Sequence, residues 1–129
     1  MFIIKQINIL LVSKDKSYIQ KLEEIVSKIS RNIIECTNFD KAIGKLLFQP
    51  FDFVITDYNL LDESFTIENF TDAYPETDLI IVATKPSSRD NRKALKQGAR
   101  DYINIKKETD TLPIKLIDYY EEKYMYQAI

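Results

Sequence analysis

The stretch Phe51 to Asn59, Phe-Asp-Phe-Val-Ile-Thr-Asp-Tyr-Asn, narrows the folds open to this chain more than any other. Phe53, Val54 and Ile55 form a short apolar run of aromatic and β-branched residues, with Pro50 before it and Asp57-Tyr58-Asn59 after it. Such a run reads as a strand covered on both faces, as in the middle of a parallel sheet. Asp57 then falls at the carboxyl end of the strand, the edge of an open α/β sheet where ligands bind. A carboxylate there can coordinate a cation or attack a phosphoryl group. It can equally cap a helix or close a turn, and the stretch alone leaves both readings open.

The rest of the chain repeats this unit. Ile7 to Val12 predicts a first central strand ending at Ser13-Lys14-Asp15. A helix follows, roughly Lys16 to Ser30, with Ile19, Leu22, Ile25, Val26 and Ile29 at helical spacing. Asn32 to Cys36 is a second strand. Thr37-Asn38-Phe39-Asp40 matches the capping-box pattern for a helix that carries Phe39, Ala42, Ile43, Leu46 and Leu47 on one face. Gly44 inside it costs up to about 1 kcal/mol relative to alanine. After the Asp57 strand, Leu60 to Ser64 reads as a loop, and Ile67, Phe70, Ala73 and Tyr74 predict a short helix stopped by Pro75.

Leu79 to Ala83 is a fourth buried strand that ends at Thr84-Lys85. Ser87-Ser88-Arg89-Asp90 starts a polar helix, apolar only at Ala94 and Leu95, and Gly98 is its left-handed stop. Tyr102 to Ile105 is a fifth strand. Pro113 suits the first turn of a last helix whose inner face is Ile114, Ile117, Tyr120 and Tyr124. Strands alternating with helices across short loops, joined by right-handed crossovers, predict a parallel sheet with helices on both faces. One domain over residues 1–129 is expected, since 129 residues suffice to bury a core.

Composition removes several chemistries. The chain has no histidine, which excludes Ser-His-Asp and Cys-His triads and histidine metal sites. Its two glycines, Gly44 and Gly98, cannot build a Gly-rich phosphate loop. A net charge of −2 favours neither nucleic acid nor a membrane surface as partner. With one cysteine, Cys36, there is no disulfide framework, and a cytoplasmic location is expected. No signal peptide or membrane span is expected either, because Gln6 and Asn8 break up the apolar start.

Five βα units, an aspartate ending strand three, a threonine ending strand four and the string Gly98-Ala99-Arg100-Asp101-Tyr102 together resemble the receiver domain of bacterial response regulators. The resemblance covers nearly the whole chain. It implies a flavodoxin-like three-layer (βα)5 sandwich with strand order 2-1-3-4-5. It also implies that Asp57 accepts a phosphoryl group from a histidine kinase and that Asn59 offers a backbone carbonyl to Mg²⁺. Thr84 matches the hydroxyl that binds the phosphoryl oxygen, and Tyr102 the aromatic that changes rotamer on activation.

Three departures bear on that chemistry. Where the family places two acids after strand one, this chain has Ser13 and Lys14, with Asp15 one step later. Where the family ends strand five in lysine and proline, it has Ile105 and Lys106. The Pro-Gly loop after the acceptor is replaced by Leu60-Leu61-Asp62-Glu63-Ser64. Asp15 either reaches inward or caps the first helix, and Lys106 regains the lysine's role only if strand five shifts by one residue, which turns every side chain to the other face. Mg²⁺ is implied by the resemblance, yet one carboxylate, one carbonyl and a nearby lysine make a poor magnesium site. The Lys14 ammonium is therefore expected in the metal's place, paired with Asp57 and lowering its pKa.

These residues lead us to expect an atypical receiver, not an enzyme, that acts through protein–protein contact with weak or absent Mg²⁺-dependent phosphorylation. The partner would be a histidine kinase or another signalling protein, with a fused output domain as a further expectation. Lys85, Arg89, Arg92, Lys93, Lys96, Arg100, Lys106 and Lys107 stand against only Asp90 and Asp101 over the same span. That is either a solvated face or, on the surface from helix four through strand five to helix five, complementary charge for an acidic partner. The alternatives are a fully phosphorylatable receiver and a phosphohydrolase with Asp57 as nucleophile, which would want a second aspartate where Asn59 stands.

Overall fold

The computed structural model describes residues 7–57 and 66–127, with side chains as far as residue 124. Its strands are β1 (Asn8–Val12), β2 (Asn32–Cys36), β3 (Phe53–Asp57), β4 (Asp78–Ala83) and β5 (Asp101–Asn104). They alternate with helices α1 (Lys16–Val26), α2 (Phe39–Phe48), α3 (Ile67–Ala73), α4 (Ser88–Lys96) and α5 (Leu112–Gln127). Every pairing is parallel, and the strands lie in the order β2-β1-β3-β4-β5. The expected flavodoxin-like α/β fold is the one observed.

Side-chain alternation along the strands builds two cores. Ile9, Leu11, Phe53, Ile55, Ile80, Val82 and Ile103 pack against α1 and α5. Leu10, Val12, Val54, Leu79, Ile81 and Tyr102 pack on the other face with Ala42 of α2, Ile67 and Phe70 of α3, and Ala94 of α4. Most of the strand residues are fully buried, each stabilising the fold by roughly 1.5–3 kcal/mol against exposure. No described helix is long and apolar enough to cross a membrane.

Local sequence sets the helix ends. The Asp15 carboxylate accepts hydrogen bonds from the backbone N–H groups of Ser17 and Tyr18 and so caps α1. Ser87 caps α4 as expected, accepting from the Asp90 N–H. The cap of α2 is Asn38, which accepts from Lys41, one residue later than the Thr37 box suggests. Gly98 follows α4 at φ 111°, and a Cβ there would meet Thr71 Oγ1 at 2.7 Å. Two helix faces differ from expectation. Leu47 is 76% exposed on α2 and Ile114 is 54% exposed on α5, where Leu112 and Leu116 face the core instead. β5 also ends one residue early, although the Ile105 N–H still donates to the Ala83 carbonyl.

Candidate functional site

The pattern of alternation carries past the strand ends. Ser13 follows Ile9 and Leu11, and Asp57 follows Phe53 and Ile55, so both continue the face covered by α1 and α5. Their side chains meet there, with the Ser13 hydroxyl donating to Asp57 Oδ2 at 2.8 Å. Asp57 lies opposite Val82 in the β3–β4 register, just short of Thr84. Asp57, Thr84 and Tyr102 line one cavity of about 230 Å³, together with Lys85 and Asp90. The Tyr102 hydroxyl accepts from the Ser87 N–H at 3.3 Å, so the ring reaches from β5 to the start of α4.

Asp57 is unevenly satisfied. Its Oδ1 is buried with no hydrogen-bond partner among the described residues, while Oδ2 has Ser13. Burial raises the Asp57 carboxyl above its usual range, the Ser13 hydroxyl pulls it down, and the nearby Asp15 charge pushes it up. The expected Lys14 counter-ion is not found. Lys14 is exposed, and no ion pair joins it to Asp57 among the described residues. The reason is the strand's alternation: Ser13 takes the inward position, so its neighbour turns away. The expected lowering of the Asp57 pKa is therefore reversed.

Other anticipated members of the pocket also lie elsewhere. Asp15 is committed to capping α1 and is exposed. Lys106 is exposed, with its backbone N–H donating to the Asn104 side chain. Ile105 is 4% exposed and packs into the core that also holds Tyr18. Asn59 and the loop after it fall outside the described residues.

Two contributors escaped the sequence reading. Tyr18 of α1 is buried and donates its hydroxyl to the Val82 carbonyl at 2.8 Å, opposite Asp57 in the β3–β4 register. Its phenol is held protonated by burial, with the Asp57 charge adding to the effect. Its spacing of four from Leu22 was the signal that it belongs to the core face. Lys85 gave no such signal, because a loop lysine has no period to read.

The donor set does not suit a magnesium ion. At the strand ends the described residues offer one carboxylate, Asp57, with a serine hydroxyl that already donates to it, while Asp90 lines the cavity from α4. No described group of three or more His, Cys, Asp or Glu side chains stands ready for a metal. Mg²⁺ asks for near-octahedral oxygen ligands and sheds water reluctantly, so a single carboxylate is a weak hold.

No protein-family model and no curated protein matches the chain. Solved structures do. The signal receiver domain of an HD domain-containing protein from Pseudomonas fluorescens Pf-5 superimposes with TM-score 0.81 at 21% identity, over 94% of this chain and 99% of that one. A two-component response regulator from Clostridium difficile gives TM-score 0.76 at 19% identity, over 92% and 99%. A response regulator from Thermotoga maritima gives 0.75 at 19% identity, over 88% and 96%. With its strand order, its aspartate at the end of β3 and these neighbours, the chain has the fold of a response-regulator receiver domain.

Proposed function

We propose that this chain is a signalling receiver that works by binding a partner, with Asp57 as its phosphoacceptor and with weak Mg²⁺-dependent phosphorylation. The observation that carries the reading is the buried, unpartnered Oδ1 of Asp57, at the carboxyl edge of β3 in a cavity shared with Thr84 and Tyr102. An unsatisfied carboxylate oxygen is a poor structural element and a ready nucleophile. Attack by this oxygen on phosphorus forms a P–O bond to Asp57 while the bond to the donor's leaving group breaks. The pocket helps this step little. Burial disfavours the carboxylate form, and the metal donors are sparse, so the charge of the transferring group is thinly neutralised.

The partner, a histidine kinase or another signalling protein, meets the surface from α4 through β5 to α5. Arg89, Arg92, Lys93 and Lys96 give α4 its positive charge, and Leu95 and Ile114 add exposed apolar area. Arg100 is engaged within the chain, its guanidinium paired with Glu122 and lying over the Tyr119 ring. Reversing Arg92 and Lys96 to glutamate should slow association with an acidic partner and flatten its salt dependence. We place the module in the cytoplasm and assign it no catalysis beyond its own modification.

The deciding experiment is incubation with acetyl phosphate, with and without Mg²⁺, followed by intact mass. A slow, partial single-phosphoryl adduct that disappears in Asp57→Asn supports the proposal. Rapid, complete, Mg²⁺-dependent modification would make this a fully competent receiver.

A further inference from the structure

The chain places an apolar residue where a receiver's strand-five lysine would stand. Ile105 is buried among apolar side chains, and Lys106 and Lys14 are exposed and absent from the lining of the Asp57 cavity. One lysine does line it, Lys85, which follows Thr84 on the loop from β4 to α4. It is exposed and makes no ion pair among the described residues. Its flexible four-carbon stem lets the ammonium fold inward from the rim.

We propose that Lys85 supplies the positive charge that holds an oxyanion carried on Asp57, in place of the missing strand-five lysine. The inference rests on the reading of Asp57 as phosphoacceptor. Two carboxylates share the cavity lining with Lys85, Asp57 at the end of β3 and Asp90 in the first turn of α4. Once Asp57 has attacked phosphorus and the donor's leaving group has departed, the new acyl phosphate brings more negative charge into the same small volume. The balance then tips toward the Asp57 side, and the ammonium pairs with the phosphoryl oxygens beside the Thr84 hydroxyl. Because the cation comes from a loop at the rim, its pairing also ties the start of α4 to the state of Asp57.

The test compares wild type, Lys85→Gln, Lys85→Arg, Lys106→Gln and Asp57→Asn in acetyl phosphate, following the adduct by intact mass over time. Lys85 is exposed, so these replacements leave the core intact. Lys85→Gln should accumulate adduct about tenfold more slowly than wild type, less than the loss of a buried oxyanion donor because Lys85 is exposed at the rim. Lys85→Arg should keep most of the rate, Lys106→Gln all of it, and Asp57→Asn none. Equal accumulation in Lys85→Gln and wild type overturns the role of Lys85 and leaves Asp57 as acceptor. Absence of any Asp57-dependent adduct in wild type overturns the acceptor reading and the lysine's role with it.

Discussion

β3 has an aspartate at each end, and the two are held in opposite ways. Asp52, just before the strand, is 7% exposed, and both its oxygens have donors. The Asn8 N–H reaches Oδ2 at 2.8 Å, and the Tyr124 hydroxyl reaches Oδ1 at 2.6 Å. Asp57, the last residue of the strand, has one hydroxyl on Oδ2 and, among the described residues, no hydrogen-bond partner on its buried Oδ1. The same side chain thus serves as a clasp at one edge of the sheet, joining β1, β3 and α5, and is left half-answered at the other. What separates them is whether every lone pair is answered.

Removing the clasp should have the largest effect. Asp52→Ala leaves the Asn8 N–H and the Tyr124 hydroxyl without their acceptor, and should destabilise the fold by about 2–3 kcal/mol in urea unfolding. A loss below about 0.5 kcal/mol, the scale of a neutral surface change, would break the comparison.

The opposite sign is expected at the other end. Asp57→Asn removes a half-satisfied buried charge and should stabilise the fold at neutral pH by about 1 kcal/mol. Its pH dependence follows from the raised folded-state pKa. The folded protein holds the Asp57 proton more tightly than the unfolded chain, so the native residue loses stability as pH rises from the ordinary value of 3.8 through its raised value. The advantage of asparagine is full above that window and vanishes below it. An advantage that persists in acid would assign the effect to something other than charge.

The smallest change in stability, about 0.5 kcal/mol, is expected for Ser13→Ala. Its informative readout is the Asp57 titration followed by carboxyl carbon NMR. Loss of the hydroxyl that favours the ionised form should move the pKa further up. An unchanged titration would show that the 2.8 Å contact does not tune Asp57.

Most of the fold was legible in the sequence, but the contrast between Asp52 and Asp57 was not. The strands read clearly because buried parallel strands are short apolar runs between breakers, with Asp57 and Thr84 at the carboxyl ends of β3 and β4 and Tyr102 near the start of β5. The helix stripes were less certain at their margins. Leu47 and Ile114 fit an apolar stripe by spacing yet lie beyond the reach of the sheet. The pocket cations were misplaced for a plainer reason. Lys14 and Lys106 sit one residue from the inward positions taken by Ser13 and Ile105, and a step of one reverses the side. Lys85 reaches the cavity through the path of a loop, which sequence period does not describe.

The contact between Ser13 and Asp57 also decides how this protein would respond to a second acid at that spot. In Ser13→Asp, two carboxylates would be pressed into hydrogen-bonding range, with no ion pair to either position among the described residues. They would have to share a proton or chelate a divalent ion. Folding of that variant would become linked to the ion, since whatever binds only the native state stabilises it by mass action. Its melting temperature should climb with magnesium concentration, while the native chain stays level. The serine therefore marks the position at which one substitution would make the stability of this fold report a divalent ion.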